Sequence, residues 1–288
     1  MDTEIQGDDF EYKSGYLKED FLLFHIKDKV NKEFDFHYHD FNKIIIFLSG
    51  KVTYLIEGKA YYLKPWDILL VNNHDLHKPI IDISEPYERI IIWINLKFLE
   101  AHNYDKCDLQ TCFNLVNEKR INLIRLSNDA ENQLRYLISM LEASLKSVEF
   151  GSKLLSKTIF IQLIIYLNRL YIGENYLKDS KALKYDPQID NILKFINENL
   201  NKKLSIEELA QKFYLSRYYL MHKFKEETGY TIHSYINQKK LMLAAEKIRE
   251  GQEINKVVYE CGFTDYSAFL RAFKKMFKKS PRNLLDEE

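Results

Sequence analysis

The chain has 288 residues, 46% of them hydrophobic and 29% charged, with 42 Lys and Arg balancing 42 Asp and Glu. This composition excludes a disordered chain and suits an ordinary soluble globular protein of two domains, or three small ones. The acidic N-terminus MDTEIQGDDFEYKS lacks the cationic and apolar stretches of a signal peptide, and runs such as IFIQLIIYL are too short to cross a bilayer, so a membrane location is not expected. Cys107, Cys112 and Cys261 form no paired framework, which reads as ordinary thiols in a reducing cytoplasm.

Residues 10 to about 98 are β-rich. KIIIFLSG, KVTYLIEG, KAYYLKP, DILLVNN and YERIIIWIN are short β-branched or aromatic runs separated by Gly, Pro, Asn and Asp. Glu57-Gly58-Lys59 lies between two alternating runs and reads as a hairpin turn. Such spacing implies a small barrel or sandwich. From about 126 to 172 the period becomes helical. Leu134, Leu137, Ile138, Leu141 and Leu145 form one stripe, and Leu155, Ile159, Leu163, Tyr166, Leu167 and Leu170 form another. These faces have three available partners: the β region, each other, or a second copy of the chain. NYLKDSKALKYDP reads as a linker.

Residues 188–285 are helical again and contain a repeat. Ile206, Leu209, Ala210 and Leu215 fall on Ile254, Val257, Val258 and Phe263 at an offset of 48, and Leu220 and Phe224-Lys225 fall on Phe269 and Phe273-Lys274 at 49. Each copy is a short helix, a tight connection and a second helix with Ser or Asp near its start. That is the plan of a helix-turn-helix, whose second helix is available to a DNA major groove. Leu220 and Phe224 are expected to face inward in the first copy, and Phe269, Phe273 and Phe277 in the second. Arg217, Tyr218, Met221, His222 and Lys225, and then Tyr266, Ser267, Arg271, Lys274 and Lys278, are expected to face out. Residues 205–285 hold 15 Lys and Arg against 9 Asp and Glu, so the neutral total conceals a basic end suited to a polyanion. The helix between the copies, Ile232 to Arg249, would span about 27 Å, which suits two recognition helices about 34 Å apart, one turn of duplex.

These residues resemble the AraC/XylS family of bacterial transcription regulators. The second unit carries the most recognisable stretch, as Gly262, Phe263, Asp265, Ser267, Phe269, Arg271, Phe273, Lys274 and Lys275, then Ser280 and Pro281, with Lys278 where family members commonly have Gly. The first unit fits with Ile206, Leu209, Ala210, Leu215, Ser216, Leu220, Phe224, Lys225, Gly229 and Tyr235. The N-terminal half resembles the family's cupin-type effector domain less specifically.

The resemblance implies an α+β multidomain chain. A cupin-like effector-sensing and oligomerisation β-barrel would span 1–100, a helical linker or dimerisation segment 101–185, and an all-α domain of two helix-turn-helix units joined by a long helix 186–288. By the same resemblance, base-edge contacts fall to Tyr218, Met221, His222, Tyr266, Ser267, Ala268 and Arg271, with at least one of Tyr218 and Tyr219 expected to pack internally. Phosphate contacts fall to Arg217, Lys225, Lys274 and Lys278. His37, His39 and His77 sit where metal-binding cupins place ligands, but Lys43 occupies the position of the cupin glutamate and Trp66 that of a turn glycine. The three histidines are therefore read as effector-binding groups, with no metal and no cofactor. The implied partners are double-stranded DNA, read in two adjacent major grooves per protomer, a small-molecule effector, a second copy of the chain and RNA polymerase. The implied location is the bacterial cytoplasm, at the nucleoid when bound. The alternative is a metal-dependent cupin enzyme with an accessory helical domain.

Overall fold

A computed structural model describes residues 17–29, 37–173, 182–277 and 279–287. The chain forms two compact units, Met1–Ile56 with Ala60–Leu183, and Glu57–Lys59 with Lys184–Glu288. No helix among the described residues is long and apolar enough to cross a membrane.

The first unit is built on strands β1 (Phe21–Asp28), β2 (Asn42–Ser49), β3 (Lys51–Ile56), β4 (Lys59–Tyr62), β5 (Ile68–Val71), β6 (His77–Asp82), β7 (Tyr87–Ile94), β8 (Leu123–Ile124) and β9 (Leu183–Lys184). They form two sheets, ordered β1-β7-β2-β5-β8 and β6-β3-β4-β9. The barrel-or-sandwich expectation thus resolves, among the described residues, into two sheets. Their arrangement follows from the alternation of side chains along β2. Ile45 and Phe47 join Tyr54, Ile56, Tyr61, Leu69 and Val71 in a core shared by both sheets. Ile44 and Ile46 point the other way and join Ile68, Leu70, Ile90, Ile92 and Ile94 against the helices. A strand buried on both faces reads as an unbroken apolar run, which is what KIIIFL is.

The covering helices are α1 (Leu96–Ala101), α2 (Thr111–Lys119), α3 (Asn128–Lys146) and α4 (Ser152–Ile172). Leu134, Leu137, Ile138 and Leu141 of α3 and Ile159, Leu163, Leu167 and Leu170 of α4 lie in the same core as the sheet. Of the three partners open to these stripes, the sheet and the neighbouring helix take them. Leu145 and Leu155 depart from expectation and are exposed, together with Val148, Phe150 and Leu154 around the α3–α4 connection. Asn168 ties α4 to α2, accepting from the Cys112 N–H at 2.7 Å and donating to the Leu109 carbonyl at 2.9 Å. Burial pushes the Cys112 thiol up to about 12, as befits an inert packing group, whereas Cys107 is exposed.

Trp66 shows how this chain replaces a turn glycine. It holds the left-handed conformation itself, at φ 69°. Its N–H donates to the Phe47 carbonyl at 2.6 Å, and the Arg135 guanidinium lies 3.9 Å from the ring centroid. The stacked cation and the packing of the ring against the core offset the cost of that backbone.

The second unit contains α5 (Pro187–Glu198), α6 (Ile206–Lys212), α7 (Arg217–Thr228), α8 (Ile232–Arg249), α9 (Ile254–Glu260) and α10 (Tyr266–Phe277), then a 3₁₀ helix, Arg282–Glu287. Pro187 is part of α5, where its fixed φ suits the first turn, and Asp186 caps that helix. Ala244, Ala245 and Ile248 of α8 share a core with Val257, Val258, Phe269 and Phe273.

Candidate functional site

The sequence repeat is also a repeat of hydrogen bonds. In the first copy Phe213 N–H donates to Leu209 at 3.0 Å and Leu215 N–H to Ala210 at 2.9 Å. In the second, Cys261 donates to Val257 at 2.9 Å and Phe263 to Val258 at 3.1 Å, each 48 residues on. The turns also share a left-handed residue, Tyr214 at φ 55° and Gly262 at φ 70°. Only the second copy uses the residue for which that conformation is free of strain. Ser205 and Glu208 form a capping box at the start of α6, and the Ser216 hydroxyl accepts from the Tyr219 N–H at 3.2 Å to start α7. Asp265 starts α10, its carboxylate accepting from Ser267 N–H at 2.9 Å and Ala268 N–H at 3.1 Å. The extra residue in the second copy falls between Phe263 and this cap.

Each second helix therefore has one buried edge. Leu220 and Phe224 are buried in α7, as are Phe269 and Phe273 in α10. Arg217, Tyr218, Met221, His222 and Lys225 are exposed on α7, and Ser267, Ala268, Arg271 and Lys274 on α10. The expected faces are thus formed, with four qualifications. Tyr266 is half-buried against the core, its ring 6.3 Å from that of Phe269. Neither Tyr218 nor Tyr219 packs internally, being 77% and 47% exposed, because Leu220 and Phe224 already fill the inner edge of α7. The Arg217 guanidinium donates to the Glu207 carboxylate at 2.6 Å, an ion pair the spacing did not foretell. Lys278 lies outside the described residues.

The two helices differ electrically. α10 carries Arg271, Lys274 and Lys275 and no acid, and none of these three makes an ion pair among the described residues. α7 carries Arg217, Lys223 and Lys225 against Glu226 and Glu227. Arg217 is paired, and Lys223 Nζ is 2.5 Å from Glu227 and 3.7 Å from Asp186.

In the first unit the sheet brings together the three predicted histidines. His37 and His77 exchange backbone hydrogen bonds at 3.1 and 3.0 Å, and the donor nitrogens of His37, His39 and His77 lie within 4.8 Å of one another. The Lys43 amine, buried between them, donates to Nε2 of His39 at 2.9 Å and to Nε2 of His77 at 3.3 Å. His77 Nδ1–H donates to the Asp75 carbonyl at 2.7 Å, which fixes the tautomer whose Nε2 lone pair meets Lys43. Burial, reinforced by Lys43, holds the His77 imidazole well below its ordinary range and hence neutral. An amine already sharing these lone pairs fits the imidazoles poorly for a divalent ion, since a second cation would meet it at close range.

Residues 22–102 match the family described as AraC-like ligand binding domain, and residues 209–287 match one described as helix-turn-helix domain. The chain is 23% identical over 253 residues to the HTH-type transcriptional activator RhaS of Klebsiella pneumoniae (strain 342), covering 86% of each chain. It is 25% identical over 256 residues to the HTH-type transcriptional activator RhaR of Mannheimia succiniciproducens, again covering 86% of each. A solved chain of apo ToxT from Vibrio cholerae is similar at 17% identity and a TM-score of 0.40, with 94% of this chain and 99% of that one covered. These relationships point to a regulator and not to an enzyme. With an AraC-like ligand-binding domain followed by a helix-turn-helix domain, the chain is a DNA-binding transcription regulator of the AraC family.

Proposed function

We propose that one protomer docks α7 and α10 into successive major grooves. Base edges are met by Tyr218, Met221, His222, Tyr266, Ser267, Ala268 and Arg271, and phosphates by Arg217, Lys225, Lys274 and Lys278. The observation that carries this reading is the exposed, unpaired cationic face of α10 opposite its buried phenylalanines. Arg271 is the sharpest base reader, since a guanidinium fits the O6 and N7 of guanine with two hydrogen bonds. Lys274 positions without specifying sequence. α8 has 18 residues, about 27 Å of spacer.

Residues 1–100 sense a small-molecule effector at His37, His39 and His77, with Lys43 as the central polar group. Residues 101–185 serve a homodimer, a reading supported by the exposed Leu145, Val148, Phe150, Leu154 and Leu155. Residues 186–288 bind DNA. The protein acts in the cytoplasm, at the nucleoid when bound, and activates transcription through RNA polymerase as the names of its relatives suggest.

Gel-shift titration on duplexes recovered from genomic footprinting tests the reading. Arg271→Ala should lose about 1–3 kcal/mol on the cognate duplex, while Lys274→Ala weakens cognate and random duplexes alike. Cognate affinity unchanged by Arg271→Ala would remove Arg271 from the base-reading set.

A further inference from the structure

The charge on the two recognition helices is so unequal that they cannot hold DNA in the same way. Among the described residues α10 exposes three cations that make no ion pair, and none of the large hydrophobic side chains found exposed elsewhere. α7 and its turn do the reverse. Its cations are largely matched by carboxylates, and Tyr214, Tyr218 and Met221 stand 96%, 77% and 43% exposed. Tyr218, Met221, His222 and Lys225 follow i, i+3, i+4, i+7 spacing and so form one outward stripe, with the Tyr218 and His222 rings stacked at a centroid distance of 6.3 Å. Tyr214 holds a left-handed conformation at φ 55°, where the second copy uses glycine, and its ring is nearly all in solvent. Folding therefore gains little from these aromatic groups and bears a backbone cost for one of them.

In a major groove the apolar group offered by a base edge is the C5-methyl of thymine; the remaining features are hydrogen-bond donors and acceptors. We propose that α7 reads thymine: the face made by Tyr218 and Met221 packs on thymine methyl groups in one half of the binding site, while α10 supplies the salt-dependent grip on the other half. The inference rests on the reading of α7 and α10 as groove-binding helices. It adds that the two half-sites are recognised by different physics. Apolar burial dominates in the first, and charge with guanine-directed hydrogen bonding dominates in the second.

Deoxyuridine differs from thymidine by that methyl alone, so it is the probe. Duplexes would be selected from a randomised pool by the full-length protein. They would then be resynthesised with deoxyuridine for thymidine in one half-site at a time. Substitution in the α7 half should weaken binding about fourfold per contacted thymine, the effect of one buried methyl. Substitution in the α10 half, where exposed Ala268 is the one small apolar base-edge candidate, should weaken binding distinctly less. The discrimination should vanish in Met221→Ala and Tyr218→Ala and survive in Met221→Leu. Both residues are exposed, so melting curves should be unaltered.

Equal binding of thymidine and deoxyuridine duplexes in both halves would overturn the proposal. So would discrimination that persists in both alanine variants. Alanine variants that bind every duplex normally yet fail to activate transcription would assign this face to a protein partner instead. Arg271→Ala separates the two levels of inference: loss of guanine preference there, with no deoxyuridine effect anywhere, sinks the thymine reading and leaves α10 in its groove.

Discussion

The amine of Lys240 donates to the backbone carbonyl of Gly262 at 3.0 Å and to that of Lys202 at 2.8 Å. One buried side chain of α8 thus ties the turn of the second helix-turn-helix to the segment that precedes the first. Burial lowers the Lys240 pKa, as expected for a cation answered by carbonyl dipoles and not by a carboxylate. Lys240→Met should cost about 1–3 kcal/mol by leaving two carbonyls without a donor, read as a lower melting temperature of the second unit. An unchanged melt would show that water replaces the amine.

Gly262 and Tyr214 make a matched pair of opposite predictions. At Gly262 an added Cβ would lie 2.5 Å from Lys240 Nζ and 3.0 Å from the Lys202 carbonyl oxygen, on a backbone at φ 70°. Gly262→Ala should therefore destabilise. At Tyr214 the same left-handed backbone is held by a residue with a Cβ, so Tyr214→Gly should stabilise by up to about 1 kcal/mol. Parallel thermal melts decide, and two shifts of the same sign would contradict the strain argument.

Arg125 and Asp67 form a buried pair, Nε to Oδ1 at 2.9 Å and Nη2 to Oδ2 at 2.5 Å, with a further bond from Nη2 to the Tyr62 carbonyl at 3.0 Å. Removing one partner of such a pair strands the other charge, at about 3–5 kcal/mol. Arg125→Ala should show that loss in urea unfolding of the first unit. A double Arg125→Met, Asp67→Asn variant should recover much of it.

The depressed pKa of His77 sets a direction in pH. The folded imidazole binds its proton only well below 6.5, whereas in the unfolded chain it binds near 6.5. As pH falls through about 6.5 the unfolded state takes up protons that the folded state refuses, so stability declines from there downward. Denaturation midpoints should fall on acidification, and His77→Gln should flatten that slope. A midpoint independent of pH between 7 and 5 would refute the assignment.

The Glu207–Arg217 pair, at 2.6 Å on an exposed surface, restrains a phosphate candidate. Glu207→Gln should release Arg217 and steepen the dependence of DNA affinity on salt by about one counterion. Affinity for duplexes of any sequence should rise, with little change in sequence preference.

Periodicity and spacing determined much of this protein on their own. Strands β2, β3, β4, β5 and β7, the paired helices, the duplicated helix-turn-helix and the inner edges Leu220–Phe224 and Phe269–Phe273 were legible, because those features are set by residues within a turn or two of each other, whereas β1, β6, β8 and β9 went unread. Pairings between distant residues were not. The spacing that put Arg217 on the outer face of α7 could not show Glu207 holding it. Lys43 read as an obstacle to a metal, yet only the tertiary placement of β2 beside His39 and the start of β6 made it the hydrogen-bonded centre of the histidine cluster. Leu145 and Leu155 fit their stripes by count and are still exposed, because they lie in the last turn of α3 and the first turn of α4, beside the connection where the shared core ends. Local pattern fixes which face of an element is apolar; tertiary packing decides how far burial extends along it and which charges are neutralised before any partner arrives.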